Sequence, residues 1–187
     1  YSSTTLEISD PVNGLRGLGA SVDVFGAEQS IDIYSDETKS LRWQKAYQGI
    51  QLEVDAGEDY ELSKTQSSFH SRHIEALVLP RSWIFSDHLQ GELKLNKEKG
   101  HVVGFVKGNN YSVFINMVEG QDDDLKIVYF DNSGKKVASG VEGGGFIVYN
   151  LPPIQKSLVI VPEGGEKVLT QRVFAEPGVP VTLNLQL

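Results

Sequence analysis

Apolar and polar residues alternate along most of this chain, and this period of two restricts the possible folds more than any other feature. Residues 20–25 read Ala-Ser-Val-Asp-Val-Phe, residues 30–34 read Ser-Ile-Asp-Ile-Tyr, and residues 50–54 read Ile-Gln-Leu-Glu-Val. Each segment places apolar side chains on one face, which is typical of a half-buried strand. Further predicted strands cover residues 73–79, 91–95, 101–107, 112–118, 125–130, 145–150, 157–161, 170–174 and 181–187.

Turn sequences separate most of these segments, for example Asp131-Asn132-Ser133-Gly134 and Glu163-Gly164-Gly165. Many short strands at this spacing favour sandwiches or barrels over βαβ units. One stretch, residues 36–48, allows a helix that Asp36 would cap, but it also allows a strand that leads into a hairpin. We therefore predict an all-β fold.

Length and composition favour two domains. A chain of 187 residues can form one large domain or two small ones. Twelve of the 19 glycines follow residue 97, both tryptophans precede it, and the lysine-rich run 96–100 is the best linker candidate. We expect two tandem β-sandwich domains of the Ig-like or transthyretin-like kind, at residues 1–97 and 98–187.

The charge balance argues against nucleic acid as a partner. The chain has 17 Lys and Arg against 25 Asp and Glu, a formal net charge of −8, and so lacks the basic excess that phosphate contacts require. No apolar run approaches the roughly 20 residues of a membrane-spanning helix. Cysteine is absent, which excludes thiol catalysis and disulfides and gives mild support to export. Because the sequence opens at Tyr1, we expect a processed chain or a fragment.

Two groups of residues have the chemistry of a metal site. His70 and His73 form an His-x-x-His pair that would suit zinc in a metal-dependent hydrolase, although residues three apart on a strand point to opposite faces. Asp122, Asp123 and Asp124 form an acidic run that would suit calcium at the end of a sandwich. The simpler interpretation of both is a solvated polar loop, and no cofactor other than this calcium is expected.

Three aromatic residues raise the question of sugar binding. Trp43, Tyr47 and Trp83 have side chains that can stack on sugar rings in a carbohydrate-binding module. Trp83 lies near the apolar run 77–79, so core packing is the competing interpretation of that residue.

Residues 101–187 carry a recognisable pattern. The strand His101-Val102-Val103-Gly104-Phe105-Val106 is followed later by the motif Gly143-Gly144-Gly145-Phe146-Ile147-Val148-Tyr149-Asn150-Leu151-Pro152. With these motifs the second half resembles the carboxypeptidase-regulatory-like, or transthyretin-like, family of small β-sandwiches. The family commonly has Asp-Gly before the aromatic residue, where this chain has Gly144-Gly145. The resemblance implies a noncatalytic module of an exported protein, such as a surface protein, a pilus usher or a secreted hydrolase.

From these features we expect a noncatalytic structural or interaction module of an exported cell-surface or envelope protein, in a pilus usher or adhesion apparatus as the specific form. Its partner would be a protein or polysaccharide at the cell surface. The module would be located in the periplasm, at the outer membrane or on the cell surface. The alternatives are a carbohydrate-binding accessory module of a secreted enzyme and a metal-dependent hydrolase domain that uses His70 and His73.

Overall fold

The computed structural model describes residues 2–25, 29–43, 49–68, 72–120, 122–165 and 167–187. These ranges contain sixteen β-strands and no α-helix, so the all-β prediction is confirmed. None of the described residues belongs to a helix that is long and apolar enough to cross a membrane. Contacts group the chain into two compact units, Tyr1–Ser82 and Trp83–Leu187.

The first unit contains eight strands in two sheets. They are β1 (Ser2–Asp10), β2 (Leu15–Arg16), β3 (Ala20–Phe25), β4 (Gln29–Ile33), β5 (Lys39–Trp43), β6 (Gly49–Asp55), β7 (Ser63–Ser68) and β8 (His73–Leu77). One sheet has the antiparallel order β7–β6–β3–β4. In the other, β1 pairs with β2 and β5 in antiparallel and with β8 in parallel.

The core of the first unit lies between these two sheets. Leu6 and Ile8 of β1 and Ile74 of β8 pack in one cluster with Val22 of β3 and Leu52 of β6. All five are buried and lie at alternate positions of their strands, as the period of two predicts. The unit is therefore a two-layer sandwich.

The second unit also contains eight strands. They are β9 (Gly100–Lys107), β10 (Tyr111–Ile115), β11 (Lys126–Phe130), β12 (Lys136–Val137), β13 (Gly145–Leu151), β14 (Lys156–Pro162), β15 (Leu169–Val173) and β16 (Val181–Gln186). The larger sheet has the order β12–β11–β13–β9–β16, in which β9 and β16 run parallel. The smaller sheet has the antiparallel order β10–β14–β15. Val102, Phe146, Val148, Ile160 and Leu183 contribute to the core between them.

The segment 83–99 covers the opposite face of the larger sheet, and we call it the cover segment. It contains no strand, yet its Ile84 and Leu89 are fully buried. Strand β13 is buried along its whole length, which requires apolar contacts on both faces. The cover segment supplies the second set of contacts, and this explains why residues just after 82 belong to the second unit.

Two sequence predictions of secondary structure are wrong. Residues 91–95 were expected to form a strand, but Gly91 adopts a positive φ of 61° and the Leu93 N–H donates to the Gln90 carbonyl in a turn. The helix alternative for residues 36–48 also fails, since Asp36 lies in a turn with a φ of 61° and β5 follows it. Residues 44–48 lie outside the described part of the chain.

One strand that sequence analysis missed, β7, lacks the hydrophobic period that would reveal it. Strand β7 reads Ser-Lys-Thr-Gln-Ser-Ser and has no apolar residue, so no hydrophobic period exists there.

The expected domain boundary at residue 97 lies downstream of the division between Ser82 and Trp83 and stays a prediction.

A substitution at Gly104 tests the packing of the second unit. Gly104 pairs across the sheet with Phe146, and an added Cβ would lie 2.3 Å from that buried ring. We expect Gly104→Ala to lower the free energy of unfolding by about 1–3 kcal/mol, because overpacking displaces the ring. Urea denaturation measures it. Ser157→Ala, on an exposed strand position, is the control and should change stability by less than about 0.5 kcal/mol.

Candidate functional site

A junction of polar residues lies where the acidic run meets the cover segment. We call it the polar junction, and it consists of Asn96, Lys99, Asp122, Asp124, Asn150 and Lys156. Sequence analysis singled out only its two aspartates. The others come from positions far apart in the chain, and the fold brings them together.

Asp122 is held in a buried ion pair. Its side chain is 1% exposed and that of Lys156 is 7% exposed, and the Lys156 ammonium donates to Oδ2 of Asp122 over 3.1 Å. The Val118 N–H donates to the same oxygen over 2.7 Å. Burial raises the pKa of this carboxyl, but the Val118 N–H and the Lys156 ammonium outweigh burial, and the net pKa lies below its ordinary value. Asp122 is therefore a structural anchor that stays ionised.

Asp124 attaches the cover segment. Its carboxylate accepts hydrogen bonds from the Lys99 ammonium and, over 3.2 Å, from the Asn96 side-chain amide. The hydrogen bond from Lys99 is the largest influence on its pKa, which it holds below the usual value. The run 96–100, expected to be a linker, is thus fixed to the second unit at both of these residues.

Calcium binding by the acidic run stays a prediction. Asp123 accepts a hydrogen bond from the Gly120 N–H over 3.2 Å. Oδ1 of Asp122 is buried without a hydrogen-bond partner in the described part of the chain, but a lysine ammonium contacts the other oxygen of the same carboxylate. Among the described residues, no group of three His, Asp or Glu side chains is arranged to hold a metal ion. An ammonium beside the carboxylate opposes a second cation by like-charge repulsion.

Asn150 links the cover segment to the acidic run within the polar junction. Its side-chain NH₂ donates to the Lys94 and Asp124 carbonyls, each over 3.0 Å, and its side-chain oxygen accepts from the Asn96 N–H over 2.9 Å. The residue is fully buried and has a φ of 59°, at an irregularity in the β9–β13 register between Val148 and Leu151. Asparagine tolerates this left-handed conformation better than most residues. One side chain thus connects β13, the cover segment and the acidic run.

His101 lies beneath the cover segment as a neutral base. Its ring packs edge-on against the rings of Phe85 and Tyr149, and Nδ1 accepts a hydrogen bond from the Asn150 N–H over 3.2 Å. Burial lowers the pKa of His101 to about 4. With Nδ1 as the acceptor, the neutral ring carries its proton on Nε2.

The histidine pair is only half described. His70 lies outside the described residues, so convergence of the pair stays untested. Nδ1 of His73 lies 2.8 Å from Oγ1 of Thr5, and its Nε2 lies 3.7 Å from a carboxylate oxygen of Glu7. The Glu7 carboxylate in turn accepts from Arg16 over 3.1 Å. These groups form a polar surface on β1, β2 and β8, with the His73 side chain 46% exposed.

Of the three aromatic candidates for sugar binding, the structure describes the side chain of Trp83 alone. The side chain of Trp43 and the whole of Tyr47 lie outside the described part of the chain. Trp83 begins the cover segment, and its ring centroid lies 4.9 Å from that of Phe130 and 6.5 Å from that of Phe105. Trp83 therefore packs on the larger sheet, and sugar binding by it stays a prediction.

The smaller sheet of the second unit offers a different kind of surface. We call the side turned away from the core the outer face, and it carries Ser112, Phe114, Ser157, Val159, Val161, Thr170 and Arg172. Phe114 is 58% exposed and pairs across the sheet with Val159, which pairs with Thr170. Val168 and Phe174, at the two ends of β15, are also exposed. Arg172 is the one charged residue among these positions, although the chain has 25 Asp and Glu.

Comparison with known proteins adds no relatives. No family model matches the chain, and no curated protein matches it significantly. The resemblance of residues 101–187 to the carboxypeptidase-regulatory-like family therefore rests on the motifs alone and stays a prediction.

Substitution of Asn150 tests how the cover segment is held. We expect Asn150→Ala to destabilise the protein by about 2–4 kcal/mol, since it leaves buried backbone groups without partners and forces alanine into a left-handed conformation. Asn150→Gly removes the same hydrogen bonds but tolerates the positive φ, so it should cost about 1 kcal/mol less. Chemical denaturation measures both. Equal stability of the wild type and Asn150→Gly would contradict a role for the side chain.

The buried His101 predicts a pH dependence of stability. The unfolded chain binds the proton near the ordinary pKa of 6.5 and the folded chain only near 4. The unfolded state therefore binds more protons between these values, so stability decreases as the pH falls from 6.5 to 4, by about 3 kcal/mol in total. Urea denaturation across this pH range measures the loss. His101→Gln keeps a hydrogen-bond acceptor and should reduce the slope, and an unchanged slope would contradict the assignment.

Proposed function

We propose that the protein is a noncatalytic structural and interaction module of an exported cell-surface or envelope protein, in a pilus usher or adhesion apparatus as its specific form. It would act in the periplasm, at the outer membrane or on the cell surface. Its mechanism would be rigid presentation, in which packed sheets hold an exposed surface in place for a protein or polysaccharide partner.

The uses of the reactive side chains support a noncatalytic role. In the polar junction, Asp122 and Asp124 each bind a lysine, while His101 is buried under aromatic rings. A catalytic acid or base must reach a substrate. These groups contact other parts of the same unit instead, and their contacts hold the cover segment.

The outer face is the observation that carries the proposal. It combines an exposed aromatic ring, Phe114, with valines and hydroxyl side chains on one face of the smaller sheet. Exposed apolar patches with polar surroundings mark contact sites in many proteins. The scarcity of charge here, in a chain of net charge −8, means that a partner can approach this surface without meeting a row of carboxylates.

Composition and motif resemblance support export. Absence of cysteine suits a chain that folds where stray thiols would oxidise, and the motif around Phe146 and Leu151 resembles modules of exported proteins.

Carbohydrate binding and hydrolysis stay as predictions. Titration with neutral polysaccharides, followed by tryptophan fluorescence, tests the first of these. A panel of ester, peptide and glycoside substrates tests the second, and turnover that His73→Ala abolishes would contradict a noncatalytic module.

Binding to isolated cell envelopes of the source organism tests the interaction role. We expect saturable binding by the wild type, and at least about tenfold weaker binding by Phe114→Asp, because a charge at the centre of a contact surface must be desolvated. Tyr34→Asp is the matched control: Tyr34 is 70% exposed in the first unit, so this variant should bind like the wild type. The outer face is excluded as the contact surface if both variants lose affinity equally or neither does.

A further inference from the structure

Two histidine rings take part in the contact between the cover segment and the larger sheet. His88 belongs to the cover segment, and its Nε2 accepts a hydrogen bond from the Lys136 N–H of β12 over 3.0 Å. His101 belongs to β9, and its Nδ1 accepts from the Asn150 N–H over 3.2 Å. In both bonds the donor is a backbone N–H, so the ring nitrogen must offer a lone pair and each ring must be neutral.

Protonation turns both hydrogen bonds into repulsive contacts. A protonated imidazole carries an N–H at each ring nitrogen and has no acceptor left, so each backbone N–H would face another N–H. His88 is exposed, and water can solvate its charge once the bond to β12 breaks. His101 would instead hold its charge beneath the rings of Phe85 and Tyr149. Because a buried and unpaired charge is costly, protonation of His101 favours movement of the cover segment away from this ring.

The surroundings of the two rings do not offset a positive charge. The ion pairs of the described residues include neither His88 nor His101. Asp87 precedes His88 in the sequence without forming an ion pair with it in the described structure, and Lys136 of β12 is itself cationic. On the side of β13, His101 meets Tyr149, whose hydroxyl has a pKa that burial raises, so this group stays neutral in acid.

The last part of the cover segment is held by groups that do not titrate in the same pH range. The Asn150 side chain, which does not titrate, binds residues 94–96. The hydrogen bond from Lys99 keeps the pKa of Asp124 below its ordinary value of 3.8, so this carboxylate stays ionised where histidines become protonated. This end of the segment therefore stays attached, and the acid-sensitive contacts are those of residues 85–88.

We infer that the first part of the cover segment is an acid-released flap: protonation of His88 and His101 detaches residues 83–90 from the larger sheet, while residues 94–99 stay fixed and the core between the two sheets stays closed. The sheet face beneath the flap is apolar and buried at neutral pH, and it includes Val103, Phe105, Phe130, Ile147 and Tyr149. Acid would thus uncover a contact surface that is otherwise hidden. The inference stands apart from the proposed function, because release of the flap requires no partner.

The size of the effect follows from His101. Burial lowers the pKa of this ring from 6.5 to about 4 in the closed state, and solvation in the open state returns it toward 6.5. The open state therefore binds the proton more tightly, and the opening equilibrium shifts toward it by up to about 300-fold as the pH falls through this range. Opening also breaks the hydrogen bond from the Tyr149 hydroxyl to the Ile84 carbonyl and exposes Leu89, so the flap stays closed at neutral pH.

Tryptophan fluorescence of the full chain tests the release. The chain has two tryptophans, so Trp43→Phe leaves Trp83, at the start of the flap, as the only reporter. Its ring packs against Phe130 and Phe105. Between about pH 7 and about pH 4 we expect its emission to shift to longer wavelength and an apolar dye to bind, while the far-ultraviolet circular dichroism keeps its β signal. Both changes should reverse at neutral pH.

Glutamine substitutions in this Trp43→Phe parent identify the responsible rings. His88→Gln and His101→Gln each keep an acceptor oxygen that is not protonated in this range, so each should lower the pH midpoint of the emission shift. The double variant should show no shift down to about pH 4. His73→Gln is the matched control: it removes a histidine of the first unit that is 46% exposed, and it should behave like the parent. If His101→Gln does not fold, His88→Gln decides by itself.

Hydrogen exchange of the wild type separates release of the flap from general unfolding. Backbone N–H groups of the flap are hydrogen-bonded in the closed state, for example from Leu89 to the Ser86 carbonyl. After correction for the intrinsic exchange rate, acid should lower the protection of peptides from residues 83–90 at least about tenfold more than that of peptides from β14. Equal loss of protection in both regions, emission and circular dichroism that change together, or a midpoint that His73→Gln moves as far as His88→Gln does would each overturn the inference.

Discussion

The larger sheet of the second unit has two apolar faces, and the rest of that unit is arranged to keep water from both. Strands β9 and β13 are buried along nearly all of their residues, so a partner layer on one side is insufficient. The smaller sheet covers one face through the common core. The cover segment covers the other with Trp83, Ile84, Phe85 and Leu89. It does so without forming a strand, because side-chain packing alone can cover a sheet face.

A segment without secondary structure needs another means of attachment, and the polar junction provides it. The backbone hydrogen bonds that the cover segment makes with itself lie in turns, and side chains attach it to the rest of the unit. Asn150 binds it at Lys94 and Asn96, and Asp124 binds it at Asn96 and Lys99. Buried polar groups of this kind cost free energy unless they are paired. The positive φ of Asn150 is tolerated because that one residue satisfies three such groups.

This arrangement changes the meaning of the residues with reactive side chains. An acidic run and a tryptophan are compatible with a metal site and a sugar platform when they are seen in a sequence. In the second unit, Asp122, Asp124, His101 and Trp83 all contact residues of the same unit. The outer face around Phe114 is exposed, and the proposed function rests on this surface.

The sequence by itself determined the all-β fold and, for most strands, which side chains face inward. The period of two is a local property, because the pleat turns successive side chains to opposite faces whatever lies beyond them. Only the tertiary structure decided that residues 91–95 form no strand, that the polar β7 does, and that Asp122 meets Lys156. These outcomes depend on pairing between residues that are distant in the chain. Such pairing is set by strand order and by the cost of burying unpaired polar groups, and neither leaves a period in the sequence.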